Sequence, residues 1–475
     1  MASFFRIHRL VPVCFTRVAF SNLGSAVASI DQAPPSFPFA NGEVVYVDFQ
    51  KASYHIVYDF AAKTATVDTE IEFEAPKSGY PLFDLVPEPR NARLDDQDVE
   101  VAQIADPDSA SKFRVLRTSV APGSHRLTLS HTLEKNVDFR SNGVASAFWM
   151  SDLTDRRYLE QYLPTNFEYD QYPMTIRLEI TGAAGKPHVL RANGVVKNPS
   201  ENVFEVEFPA FYTTSSMFFH LSPAGSIASR SFILKSVDGR DLPVEVYTNG
   251  DMSAYVAGTK RVIAELEADY GPFPHPKVIV YGAGMGGMEY SGATMTSPTA
   301  VGHELFHSYN ARGVMPARGN AGWIDEAMSS FRDRKYATRS GPGGTTRMAG
   351  HSVFTRMTDD DAYGKGADFM GWIAGRMNAA GKDFKTFLRG YFHANFYHTM
   401  TTEMLKRAME AYSGFDLDAD FDTYIYGKTT KAAPGSVWGV TSASPTCGGK
   451  PEAPKPLVEN PFHPRLTEAQ ERALL

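Results

Sequence analysis

From about residue 42 to 235 the chain alternates polar with β-branched or aromatic residues. The runs "EVVYVDFQKASYHIVYDF", "KTATVDTEIEFEA", "HRLTLSHTL", "MTIRLEI", "NVFEVEF" and "SFILKSV" are separated by Gly, Pro, Asn and Asp. A period of two bounded by turn formers predicts strands with one buried face. An all-β region over 42–237 is therefore expected, preceded by an extension at 1–41.

The period then changes. "DMSAYVAGTKRVIAELEADYG" places apolar residues three and four apart and stops at Gly271-Pro272, which predicts a helix. "KVIVY" (277–281) reads as a short buried strand. In "SPTAVGHELFHSYNARG", Ser297 is a candidate N-cap, Pro298 suits the first helical position and Gly313 lies past the end, so this segment is also expected to be helical. "AGWIDEAMSSFRDRKYA" predicts a second helix nearby, and "GADFMGWIAGRMNAA", "FKTFLRGYF" and "TEMLKRAMEAY" extend the helical pattern toward residue 412. Pro, Gly and Ser become dense after about 433. The expected organisation is multidomain α+β: the all-β region, an α/β region with a helical continuation over 238–432, and a Pro-rich tail or strap over 433–475.

Composition narrows the class. The 475 residues are enough for two or three domains, and 43% hydrophobic with 21% charged content describes a globular protein. A net charge of -7 and the lack of a dense Lys/Arg stripe give no sign of a nucleic-acid partner. No stretch reaches the 18 or so apolar residues of a membrane helix, so stable membrane insertion is not expected. Two cysteines, Cys14 and Cys447, make neither a disulfide framework nor a thiolate cluster. The start, "MASFFRIHRLVPVCFTRVAFSNLGSAVAS", has early basic residues, an apolar middle and a small-residue Ala26-Val27-Ala28, but Arg17 interrupts the apolar stretch. It fits an export signal and a non-targeting start alike, so cytoplasmic and exported (periplasmic or secreted) locations both stay open.

The chemistry concentrates in "HELFH". On a helix, residues four apart share a face, so His303 and His307 would present imidazole nitrogens to one ion with Glu304 beside them. A catalytic zinc takes three protein ligands and keeps a fourth position for water. Glu326, 18 residues beyond His307 on the second helix, supplies the third. Glu304 is then the base that takes a proton from the attacking water and returns it to the leaving amine. A single zinc ion is the expected cofactor and a carbonyl compound the expected substrate.

The runs "GGMEYSG", "VGHELFHSYN" and "GWIDEAMSSF" resemble the aminopeptidase N family of zinc metallopeptidases, the gluzincins, which carry Gly-x-Met-Glu-Asn, His-Glu-x-x-His and, 18 residues on, Glu in a Trp-Leu-Asn-Glu context. "GGMEY" and "HSYNARGVMP" also resemble the glycyl aminopeptidase family. The resemblance implies a saddle-like β-sandwich followed by a thermolysin-like catalytic domain, peptide substrates and removal of N-terminal residues. It assigns Glu289 to the substrate's free amine, with Gly286, Gly287, Met288 and Tyr290 beside the substrate; Tyr290 replaces the family's Asn. It assigns the oxyanion-stabilising hydroxyl to Tyr363 of "YGKG", with Tyr391 and Tyr397 as fallbacks. Asp152, in "DLTDRRYLEQYLP", matches the acidic or amide residue that borders the amine, while Arg156 and Arg157 suit interdomain ion pairs equally well. Many members close the cleft with a long C-terminal helical domain; a more open cleft is expected here. A zinc endopeptidase or specialised hydrolase with the same site stays open, as does a non-catalytic peptide-binding protein, although the latter would be expected to have lost Glu304 or a ligand.

Overall fold

The computed structural model describes residues 30–108, 112–151, 158–354 and 357–428, together with Gln470, Arg472 and Leu474. Its first part is built on an eight-stranded sheet. The central strand, Asp48–Asp59, pairs antiparallel with Thr64–Ala75 and parallel with Met174–Thr181. Along Thr64–Ala75 buried and exposed residues alternate, as a sheet covered on one face requires. The turn joining the first two strands is set locally: the Asp59 carboxylate accepts the Ala61 and Ala62 amides, both at 2.9 Å, and Lys63 takes a left-handed φ of 55°. A five-stranded and a four-stranded sheet complete this part. Val67, Ile71, Phe73, Phe148 and Trp149 lie in the enclosed core, where Phe148 stacks on Phe219 at 4.2 Å between centroids.

The second part starts from a mixed five-stranded sheet in the order Ala228–Lys235, Asp241–Thr248, Val278–Gly282, Ala293–Thr296, Gly287–Tyr290. The strand containing "SFILK" therefore belongs here and not to the all-β region: the Asp238-Gly239 turn folds it back on Asp241–Thr248 over eight residue pairs. Helix α1 (Met252–Tyr270) crosses over between two parallel strands, its first turn capped by the Asp251 carboxylate on the amides of Ser253 and Ala254. Among the described residues the chain continues with α3 (Trp323–Asp333), α4 (Ala367–Ala379), α5 (Phe384–Asn395), α6 (Thr402–Ser413) and α7 (Asp418–Tyr424). Together with the short α2 (Val301–Phe306) they share a second core around Leu266, Leu305, Phe306, Trp323, Phe331 and Phe369. Each large apolar side chain so buried contributes about 1.5–3 kcal/mol.

Helix α2 is shorter than its sequence signals predict. Ser297 does not cap it; its hydroxyl meets the Thr299 hydroxyl at 3.2 Å, residues 297–300 form a turn, and Ala300 occupies the N-cap. No helix among the described residues is long and apolar enough to cross a membrane. Most of the Pro-rich tail lies outside the described residues, but Leu474 is buried in the first core and its carbonyl accepts the Tyr281 hydroxyl at 2.8 Å.

His275 seals the seam behind the α2 loop. It is fully buried near Phe211, Phe273 and Tyr397 and donates Nε2–H to the Ser308 carbonyl at 3.0 Å. Burial pushes its imidazole down to about 3, and that of His131 down to about 4. The unfolded chain, titrating near 6.5 at these groups, binds more protons below that pH than the folded one. Their contribution to stability is therefore complete above pH 6.5 and lost as pH falls toward 4 and 3. Thermal melts should show His275→Gln, which keeps a donor for Ser308, losing less stability than wild type between pH 7 and pH 5; equal slopes would remove His275 from this account.

Candidate metal centre

His303 and His307 leave α2 on one face, with ring centroids 4.8 Å apart and planes at 74°. The regular helix stops at Phe306, and the Ser308 and Tyr309 amides bond three residues back, to Leu305 and Phe306. Ala311 then adopts a left-handed φ of 62°, which reverses the chain. Asn310 ties the loop to the next helix, its side-chain amide donating to the Asp325 carbonyl at 3.1 Å. In this way α3 returns Glu326 to the histidine face.

The donor atoms converge. Glu326 Oε2 lies 3.1 Å from His303 Nε2, its Oε1 lies 3.9 Å from His307 Nε2, and one ligand atom from each of the three residues falls within 4.8 Å of the others. A tetrahedral zinc with bonds of about 2.0–2.2 Å holds its ligand atoms roughly 3.3–3.5 Å apart, so these residues fit such an ion. Both imidazoles are oriented from behind: His303 Nδ1 meets Asp333 Oδ2 at 2.6 Å, and His307 Nδ1 makes a short hydrogen bond to Asp325 Oδ1, with the Ser329 hydroxyl at 3.2 Å. With Nδ1–H given to a carboxylate, Nε2 is the nitrogen left for a metal.

The electrostatics favour a cation. His303, Glu304, His307 and Glu326 are at most 3% exposed. Burial alone would lower both imidazoles. For His303 the bonds to Asp333 and Glu326 and the charges of Glu326 and Glu304 hold it well above the ordinary range; for His307 the charges of Asp325, Glu289 and Glu326 raise it to about 10. The carboxylate field that draws protons onto these rings is equally a field for a divalent ion, which competes with those protons. These four side chains are enclosed by protein.

Glu304 lies alongside: its carboxylate, that of Glu289 and a nitrogen of His307 fall within 4.8 Å of one another. Glu289 is on the edge strand Gly287–Tyr290, which pairs with Ala293–Thr296, and is fully buried. Strand alternation puts Met288 and Tyr290 on the opposite face, inside the first core. The Tyr290 hydroxyl accepts the Met150 amide at 3.3 Å and its ring meets Phe218 edge-on at 5.1 Å. These two residues are thus packed into the first core, on the strand face opposite Glu289. Gly286, with φ 67°, and Gly287 lead into the strand.

Tyr363 stands on a wide π-type turn, Ala362–Gly366, that runs directly into α4 and packs on α3. Gly366 approaches Ala327 so closely that a β-carbon there would come within 2.8 Å of the alanine side chain. The Tyr363 hydroxyl is buried, and its carbonyl accepts from Arg334 at 3.1 Å. Tyr391 lies in the second core, and the Tyr397 hydroxyl bonds the Pro274 carbonyl. Asp152, Arg156 and Arg157 lie outside the described residues.

Three residues near the site were not singled out in the sequence: Asp325, Asp333 and Arg312. The first two had a legible signal. Asp333 is seven residues, two helical turns, beyond Glu326 and so on its face, and Asp325 stands where the resembled motif has Asn. Asp333→Asn and Asp325→Asn are each expected to weaken zinc binding roughly 10- to 100-fold, measured by competition with a chelating dye. Wild-type affinity in both would show that the histidines need no carboxylate behind them.

No protein-family model matches the chain, and no curated protein matches it. Solved structures do. The M1 zinc metallopeptidase from Deinococcus radiodurans superposes with a TM-score of 0.57 at 16% identity, covering 83% of this chain and 96% of that one. Aminopeptidase A from Legionella pneumophila, solved with aspartic acid, gives 0.58 at 14% identity over 80% of this chain and 50% of that one. Leukotriene A4 hydrolase from Saccharomyces cerevisiae gives 0.58 at 14% over 82% and 69%. At these identities the likeness is one of fold: a multidomain α+β architecture with an N-terminal β region and a separate helical region of the thermolysin-like M1 peptidase type, which here carries the His303, His307 and Glu326 cluster.

Proposed function

We propose that this chain is a zinc-dependent hydrolase of peptides and, more finely, an aminopeptidase that removes N-terminal residues. The observation that carries the reading is the convergence of two oriented imidazoles and a carboxylate, with Glu304 and Glu289 on the adjoining side. His303, His307 and Glu326 would hold the ion. Zinc in that place supplies Lewis acidity, polarising a scissile carbonyl and making water more acidic.

The remaining steps belong to the chain. Glu304 takes a proton from the attacking water and delivers it to the departing amine, so that nucleophile and leaving group are served by one carboxylate. Tyr363 donates its hydroxyl to the oxygen that becomes negative in the transition state. Glu289 pairs with the substrate's ammonium and sets the first peptide bond in register. The reading keeps the division into a β region and a following catalytic region that carries the metal cluster.

The experiment is a panel of aminoacyl fluorogenic amides and their N-acetylated twins, assayed with zinc content determined on the same sample. One zinc per chain with turnover of free-amine substrates only is the expected result. Equal cleavage of the acetylated twins would remove Glu289 as an amine anchor and mark an endopeptidase. Bound zinc with no turnover across a peptide library would mark a binding protein.

A further inference from the structure

Glu289 does not stand alone in the site. Arg312, whose side chain is 3% exposed, donates Nη2–H to Glu289 Oε1 in a short ion pair, and its Nε–H points at the Glu289 main-chain carbonyl at 3.4 Å. One planar guanidinium thus holds the carboxylate and the backbone of the same residue, which an ammonium on a flexible stem would not do. Nη1 is bound in turn to the Ala311 carbonyl at 3.1 Å. The arm that delivers this group is short and stiff. Ala311 turns back through its left-handed φ, the Arg312 amide bonds the His307 carbonyl at 2.9 Å, and the Ser291 hydroxyl meets the Arg312 carbonyl at 3.3 Å from beside the edge strand. Among the described residues Glu289 Oε2 has no hydrogen-bond partner, although it is buried.

We infer that Arg312 is a positioning residue that clamps Glu289 to the loop carrying His307, so that Oε1 is committed to the protein and Oε2 is the acceptor presented to a substrate's ammonium. This rests on the aminopeptidase reading and deepens it. The register between the amine and the scissile bond is then fixed by one covalently short path, from His307 through Arg312 to Glu289, rather than by the rotamer freedom of a glutamate on an edge strand. An error of about 1 Å in that register costs up to roughly 100-fold in rate.

The test is a double-mutant cycle with Arg312→Lys and Glu289→Gln, read as the ratio of kcat/KM for a free-amine amide to that for its acetylated twin. Arg312→Lys keeps the charge and loses the fork, so folding is spared; zinc content and melting temperature verify this. It is expected to lower the ratio roughly 10- to 100-fold, chiefly through KM for the free amine. In the Glu289→Gln background, where the ratio has already fallen, the same substitution should change it little. If Arg312→Lys is too unstable, the charge-free pair Arg312→Met with Glu289→Gln should match Glu289→Gln alone. A wild-type ratio near one would overturn the amine anchor and the clamp with it. A high wild-type ratio that Arg312→Lys leaves unchanged, or that it lowers equally in both backgrounds, would overturn the clamp alone.

Discussion

Glu304→Gln is expected to lower kcat by roughly 10²- to 10⁴-fold while the protein keeps one zinc per chain and melts near the wild-type temperature. The substitution is nearly isosteric, so the volume within the closed site is kept. What changes is chemical. A carboxylate accepts a proton and gives it back; a carboxamide does neither at neutral pH. Glu304 is fully buried and lies with Glu289 and His307 in one small cluster, so no bulk solvent stands ready to replace it as base. Neutralising Glu304 removes a like charge beside Glu289 together with an opposite charge that favours protonated His303, so the two electrostatic changes oppose each other and the near-isosteric side chain keeps the packing. The measurement pairs steady-state kinetics on the free-amine amides with elemental analysis. Retained turnover would exclude Glu304 as the proton carrier, and lost zinc would make it a ligand instead.

Glu326→Gln should abolish stoichiometric zinc and reduce turnover below detection, and its clearest signature needs no activity at all. A ligand that binds only the folded state stabilises it by about 2.7 kcal/mol at a hundred times its dissociation constant. Chelated wild-type protein should therefore gain melting temperature when zinc is restored, and Glu326→Gln should not. The carboxylate faces both imidazoles, at 3.1 and 3.9 Å, so losing its charge removes the group that both rings share. Glu326→Gln is a sounder probe than His307→Ala, because truncating the histidine would also strip Asp325 of its partner and leave a buried carboxylate uncompensated. A zinc-dependent shift of wild-type size in Glu326→Gln would mean that the metal binds elsewhere.

How much of this was legible in the chain itself differs from residue to residue. Local order was: the period-two runs became strands, α1 falls where spacing and end signals put it, α3 forms within its expected segment but stops at Asp333, and the "HELFH" and "WIDE" segments are each built on a helix. Misreadings came where two local signals competed. Ser297 had the composition of an N-cap, but its hydroxyl found Thr299, and a turn took the place of the first helical turn. Met288 and Tyr290 flank Glu289 in the chain, but alternation along the strand turns them to the opposite face, which the motif letters alone do not show.

The sequence by itself determined the chemical inventory of the site and the elements that carry it, because ligand spacing, capping and hydrophobic period act over a few residues and are written in the chain. The tertiary structure decided which partner each group behind that inventory meets, with a local hint in the chain for Asp325 and Asp333 and none for Arg312. Asp333 behind His303, Asp325 behind His307 and Arg312 on Glu289 lie 30, 18 and 23 residues from their partners, and each pairing depends on how a loop reverses and a helix or strand packs. Burial makes those pairings strong: inside a closed, water-poor site a carboxylate or guanidinium must find a partner, and the fold, not the local spacing, determines which one it meets.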